Sequence, residues 1–418
     1  MGFCVAIRCS KRKPEYMDSI VKVLKPRIEE RLKDKSALVF DIIIDGKQQT
    51  IWFSVENKYA KYLCADRGDA FVIGLLPIAM RRGLDIVCEA PVSERLLFQL
   101  RSTLLPLLSR YGKNVHEVKI DAPVASEPIA NAGGVGAGIS CGVDSLHIVK
   151  NHSGDEYPDL KLTHLVLNNV GAFGETGASE QYQWTIDLAK RFCAEYEFEL
   201  ILTNSNIFDV VGLDFEQNHT YLNIFAVYCL QKLWKAFYYG SWGVDLQQGF
   251  TLADNELHDC AAYDVLALDV FSTEGLKIFS EGAAFGRYDK TAHIVDFEPA
   301  QKYLQVCVSG TGKNCGHCFK CKRTLLTLDA LGALDKFRKV FDIDAYKQSR
   351  NSYLRYLYRV HIDHSDHMLA DVYQKLAKDI PLHCRILGVW DCCRDVCMCK
   401  LKGALRPTFR KLGLLNRK

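Results

Sequence analysis

The chain has 418 residues, with 53 Lys or Arg against 50 Asp or Glu and a formal charge of +3. So even a balance excludes a molecule whose whole surface is built for a polyanion, and the length suffices for two or more buried cores. Hydrophobic residues at 48% and charged residues at 25% are the proportions of a soluble globular protein. No long apolar segment follows the charged stretch Arg8 to Lys13, and no run of about 18 apolar residues occurs anywhere, so neither secretion nor a membrane span is expected. Seventeen cysteines without a signal peptide point to a reducing compartment, with the cytoplasm as the expected address.

In chain order, residues 1–125 read as an α+β domain. The β-branched run Ala37 to Ile44, the turn pair Asp45-Gly46 and then Gln49 to Phe53 predict a hairpin. Phe71 to Leu76 and Asp85 to Cys88 read as further strands, and Ser93 as the cap of a helix over Glu94 to Tyr111. Asp121 to Gly138, rich in small residues and Pro, reads as a linker. From Ile139 strand and helix patterns alternate, which predicts an α/β domain over 126–341, a parallel sheet with helices on both faces. The predicted elements are a helix to about His152, a strand at Thr163 to Val170, a helix from Gly177 to Tyr196, a strand at Phe198 to Asn204, and a long apolar helix from Tyr221 to Phe237. Residues 342–418 read as helical segments with a basic tail.

Two motifs carry chemistry. Ser140-Cys141-Gly142-Val143-Asp144-Ser145 is a loop of small and hydroxyl residues opening a helix. Such a turn presents free backbone N–H groups and the positive helix end to a phosphate, although Ser and Asp there also serve as ordinary caps. Far along the chain, Cys307, Cys315, Cys318 and Cys321 are spaced C-x7-C-x2-C-x2-C among turn residues. Four soft thiolates at that spacing suit tetrahedral Zn²⁺ in a closed structural site, with disulfides as the alternative and His317 as a substitute ligand.

Together the two motifs resemble the PP-loop ATP pyrophosphatases, and among them the 7-cyano-7-deazaguanine synthases. That family pairs a Ser-Gly-Gly-x-Asp-Ser loop with a later C-x7-C-x2-C-x2-C zinc cluster, in the order found here. The resemblance covers about Ser126 to Phe337 and departs from the family at Cys141, which stands where Gly is usual and whose side chain is expected to narrow the space for phosphates. It implies a Rossmann-like PP-loop domain, ATP and Mg²⁺ as cofactors beside Zn²⁺, and a carboxylate-bearing substrate, small molecule or macromolecule. The implied reaction is adenylation of the carboxylate with release of pyrophosphate, followed by attack of ammonia or an amine. Ser140, Asp144 and Ser145 would be catalytic, and the whole loop including Cys141, Gly142 and Val143 would bind the nucleotide. Because Gly2 follows Met1, a fused glutaminase with an N-terminal cysteine is not expected, and ammonia would come from solution or a partner protein.

Other candidates follow from position. Asn168, Asn169, Thr203 and Asn204 close predicted strands, at the end where α/β sheets bind ligands, and serve equally as turn residues. Arg287 and Lys290 are either phosphate-neutralising cations or solvated charges. Asp254 and Glu256 are carboxylates of the type Mg²⁺ prefers. The thiolate ion is expected at the far end of the sheet from the loop. Gly134-x-Gly136-x-Gly138 and Gly310-Thr311-Gly312-Lys313 imitate nucleotide fingerprints without the required context. Cys384, Cys392, Cys393, Cys397 and Cys399 match no standard ligand set, and the seven Lys or Arg after Met398 read as a solvated tail with a weak case for RNA or an anionic membrane surface. Two rival functions remain: a PP-loop sulfur transferase acting on RNA, with Cys141 as its thiol, and a zinc-stabilised nucleotide-binding scaffold without catalysis. Nothing in the sequence fixes an oligomeric state, a homo-oligomer included.

Overall fold

A computed structural model describes residues 20–32, 34–173, 180–241, 259–309 and 312–394. Asp254, Glu256, Cys397, Cys399 and the basic tail lie outside the described residues. The fold is mixed α/β, with helices packed on both faces of one large sheet. Among the described residues no helix is long and apolar enough to cross a membrane.

Among the described residues thirteen strands build the sheets: β1 (Ile20–Val23), β2 (Arg27–Leu32), β3 (Lys35–Ile44), β4 (Lys47–Glu56), β5 (Asp85–Cys88), β6 (Val92–Ser93), β7 (Ile120–Asp121), β8 (Val124–Ala125), β9 (Gly134–Gly138), β10 (His164–Asn169), β11 (Glu199–Ser205), β12 (Trp234–Gly240) and β13 (Lys277–Glu281). Eleven of them form one sheet in the order β13-β12-β9-β10-β11-β4-β3-β1-β5-β7, with β2 beside β3. The first five are all parallel. The chain enters this parallel part at β9, moves outward to β10 and β11, then returns to the other side of β9 for β12 and β13. The order therefore reverses at β9, which opens a crevice at the carboxyl ends of the strands.

The amino-terminal strands extend the same sheet, because β4 pairs antiparallel with β11 at Asn204↔Ser54 and Ser205↔Phe53. The sheet thus runs unbroken across residues 125 and 126. Its two cores are its two faces. One gathers Phe40, Phe53, Phe71, Phe225 and Phe271 with the amino-terminal strands; the other gathers Ile139, Leu146, Leu167 and Phe192 with the carboxy-terminal helices. The Asp45-Gly46 hairpin forms as expected, with both residues at positive φ and Ile44 facing Lys47, which a two-residue turn of mirror-image type requires.

Three expectations are corrected. Phe71 to Leu76 lies in a helix, Asp69–Arg82, closed by Gly83 at φ 67. Every residue from Asp69 to Met80 is buried, so no polar face marks the helical period in sequence. The apolar run from Tyr221 is two elements, a helix at Phe215–Cys229 and strand β12. Most of both elements is buried, and the aromatic Trp234 to Tyr239 carries the strand preference. Lastly, the supposed linker contains the pivotal strand β9. Its alternate glycines give room rather than a fingerprint: a Cβ on Gly136 would meet the Trp234 ring at 2.7 Å and the Phe237 ring at 2.8 Å.

Candidate functional site

β9 ends at Gly138, and the chain turns through Ile139 to Gly142 into the helix Val143–His152, called α1 here. Gly142 occupies the cap position, and no side chain caps the helix. Its first-turn N–H groups have no intrahelical partners, so the helix presents donors at the crevice where the strand order reverses. The Ser140 hydroxyl accepts from the Gly142 N–H at 3.3 Å, and the Ser145 hydroxyl donates back to the Gly142 carbonyl at 3.1 Å. A Cβ on Gly142 would come within 3.2 Å of the Ser140 Oγ, a tight approach.

This turn forms one wall of a cleft of about 700 Å³, within the size range of small-molecule sites. Ser140, Gly142, Val143 and Asp144 line it; Cys141 and Ser145 do not. Cys141 adopts φ 55, which swings its Cβ away from the cleft into the core beside α1, where it is 1% exposed. The thiol therefore does not narrow the loop. Burial pushes its pKa far above the ordinary thiol value, which leaves it without nucleophilic thiolate.

Arg287 and Lys290, on the helix Arg287–Ile294 (α2), both reach Asp144, at 2.9 and 3.0 Å. Burial alone would push the Asp144 carboxyl up; the two cations outweigh it and hold the pKa at about 2. Arg287 lines the cleft, and its Nε has no hydrogen-bond partner among the described residues. Lys290 is fully buried, with its ammonium donating to the Asp144 carboxylate and the Ser241 carbonyl. It thus fixes Asp144 rather than facing the cleft, which corrects the expectation of a direct phosphate contact. Lys320 adds positive charge to the same wall, and Arg323 lines it while paired with Asp366 at 2.7–2.9 Å. Lys320 is exposed, and desolvation at the cleft wall, then the charges of Arg287 and Arg323, lower its pKa. The basic run Lys320 to Arg323 was visible in sequence, but only the fold turns it toward the loop.

Asn168 and Thr203 do stand at the carboxyl ends of β10 and β11, but neither lines the cleft. The Thr203 hydroxyl donates to Asn168 at 2.8 Å, Asn168 donates to Asn223 at 3.2 Å, and Asn169 donates to Asn204 at 3.0 Å. These amides bond one another and brace adjacent strand ends.

The four cysteine sulfurs lie within 4.8 Å of one another, and Cys307 and Cys318 are 4.0 Å apart. Tetrahedral Zn–S bonds of 2.3 Å place sulfurs about 3.8 Å apart, so the quartet fits one metal ion. Backbone N–H groups of Ser309, His317, Cys318 and Cys321 donate to the sulfurs of Cys307, Cys315 and Cys318 at 3.3–3.4 Å, as suits thiolates. His317 contributes only its backbone, and its side chain is exposed. Contrary to the expectation of opposite ends, the cluster adjoins the loop: Gln305 N–H donates to the Cys141 carbonyl at 2.8 Å, and Cys307 and Val308 line the cleft.

The opposite wall was not foreseen. Glu216 and His219 on the helix Phe215–Cys229 (α3), Tyr239 at the end of β12, and Asp259 all line the cleft. His219 and Asp259 are forty residues apart in a chain without a motif joining them, so only the fold could pair them. Comparisons of the chain with protein-family models, curated proteins and solved structures find no match.

Proposed function

We propose that this chain is an ATP-dependent adenylating enzyme of the PP-loop type, resembling the 7-cyano-7-deazaguanine synthases. One observation carries the reading: an uncapped helix start, Ser140 to Asp144, opens onto a cleft at the reversal point of a run of parallel strands. The Arg287 and Lys320 charges on its wall suit a polyphosphate, and the cysteine cluster would hold Zn²⁺ as a structural clamp on the loop.

In this reading the loop N–H groups and Arg287 bind the pyrophosphate portion of ATP. Asp144, kept ionised, orients Arg287 and is available to Mg²⁺. Mg²⁺ would supply charge neutralisation on the leaving pyrophosphate. A substrate carboxylate attacks the α-phosphate, pyrophosphate departs, and the acyl adenylate reacts with ammonia or an amine. Sulfur transfer is disfavoured because the Cys141 thiol is buried and the other loop-side cysteines form the metal quartet.

The test is calorimetry with Mg-ATP, then pyrophosphate release over a panel of carboxylates with ammonia. Binding should disappear in Gly142→Val and weaken at least tenfold in Arg287→Ala. Binding indifferent to both changes refutes the loop as the site. Binding without release on any carboxylate favours the non-catalytic scaffold.

A further inference from the structure

Across the cleft from the loop, His219 and Thr220 on α3 meet Asp259 and Cys260, the first residues of a short helical turn. The His219 Nε2 lies 3.0 Å from Asp259 Oδ1, and one nitrogen, one carboxylate oxygen and the Cys260 sulfur all fall within 4.8 Å of one another. We propose that His219, Asp259 and Cys260 form a second metal site, of the open three-ligand kind, for a borderline divalent ion such as Zn²⁺.

The donor chemistry fits. Imidazole, carboxylate and thiolate are ligands such an ion accepts at about 2.0–2.3 Å, which puts neighbouring donors about 3.3–3.6 Å apart. The surroundings are those of ligands held in place. His219 Nδ1 meets the Tyr239 hydroxyl at 3.2 Å, which fixes the ring with Nε2 toward Asp259. The Thr220 N–H points to the Cys260 sulfur at 3.4 Å, a donor suited to thiolate, and Asp259 Oδ1 also accepts from the Ala261 N–H at 2.9 Å. Cys260 is buried at 2% exposure, whereas His219 and Asp259 line the cleft, so three ligands come from the protein side and the fourth position faces the cavity. That is the arrangement of a metal that takes up a ligand rather than one that only staples a fold.

The site also shares its scaffold with the loop. Gly240, next to Tyr239, packs so closely on Asp144 that a Cβ there would meet the Asp144 Cβ at 3.2 Å. Ser241 then binds Lys290 through its carbonyl and Asp264 through its hydroxyl, on the helix that follows Cys260. An ion at His219 would thus face whatever occupies the loop side of the same cavity, placed to polarise a carbonyl or a bound water or ammonia. The metal assignment does not rest on the nucleotide reading.

The test uses the full chain as isolated, dialysed against a mild chelator that strips an open site before a closed thiolate quartet, and titrated with Co²⁺. The expected result is one equivalent of Co²⁺ with visible d–d absorption and a single-thiolate charge-transfer band. Affinity should fall at least a hundredfold in His219→Gln and in Asp259→Asn, each checked for folding by circular dichroism. Tyr239→Phe, which keeps every ligand, should weaken binding roughly ten- to hundredfold. Wild-type protein that takes up no cobalt overturns the site. So does absorption that persists in both ligand variants and vanishes in Cys315→Ser/Cys318→Ser, because the cobalt would then be in the quartet. Were one ligand variant unfolded, the other and the wild-type titration decide.

Discussion

Replacing Asp144 by Asn removes one charge and little volume from the centre of the loop. Lys290 has no exposed surface, and its ammonium is 3.0 Å from Asp144 Oδ1. At that separation an effective dielectric of 20 gives an attraction of about 5 kcal/mol, against which the cost of desolvation must be set. Deleting one partner of such a pair strands the other charge, and costs about 3–5 kcal/mol. Here Arg287 would be left repelling Lys290 as well. We expect Asp144→Asn to lose stability within that range in urea unfolding followed by tryptophan fluorescence. The double variant Asp144→Asn/Lys290→Met should recover much of the loss, giving a coupling of about 2 kcal/mol or more. The pH dependence has a definite sign. Because the folded carboxyl is held at about 2, its contribution is complete above the ordinary carboxylate value and disappears as pH falls through about 2. The wild type should show this acid limb and the variant should not. A single variant within about 1 kcal/mol of wild type, or a strictly additive cycle, would refute the buried-pair argument.

Cys141→Gly should leave Mg-ATP affinity within about threefold, as read by calorimetry, because the side chain points into the core; relief of left-handed strain worth about 1–2 kcal/mol offsets the lost packing. A tenfold gain in affinity would show that the sulfur does obstruct the loop. Cys318→Ser should release the quartet's metal, counted by mass spectrometry, and lower the thermal midpoint, whereas metal content equal to wild type would remove the cluster assignment. His147 is 2% exposed and lies near His293 and Lys290; burial first, then those cations, lower its pKa to about 4. Between about 4 and 6.5 the unfolded chain therefore binds the extra proton, so stability should rise with pH by up to about 3 kcal/mol across that window, and His147→Gln should flatten the rise in pH-dependent urea midpoints.

What the sequence revealed follows from how local each signal is. The Asp45-Gly46 turn and the cysteine spacing are short-range constraints: the turn forms as read, and the four sulfurs come close enough together to hold one metal ion. Periodicity failed in the helix Asp69–Arg82, where every residue from Asp69 to Met80 is buried and no polar face remains to set the period, and at β12, whose apolar and aromatic run directly continues that of the preceding helix. β9 escaped notice for the opposite reason. Its glycines read as a linker, but the missing side chain of Gly136 is space filled by Trp234 and Phe237, some hundred residues later.

The same distinction explains the candidate site. Sequence could locate the loop and, separately, Arg287 and Lys290, but it could not say that Lys290 would be sealed beneath Asp144 while Arg287 remained on the rim. Burial divides those two cations into a sealed brace and a residue that lines the cleft, although their sequence spacing makes them look equivalent. Likewise the strand-end amides bond one another away from the cavity, whereas His219 and Asp259, drawn from distant segments, line it. The loop, the thiolate quartet and the His219 wall therefore belong to one cleft because the strand order reverses at β9, a property of topology that no single stretch of residues contains.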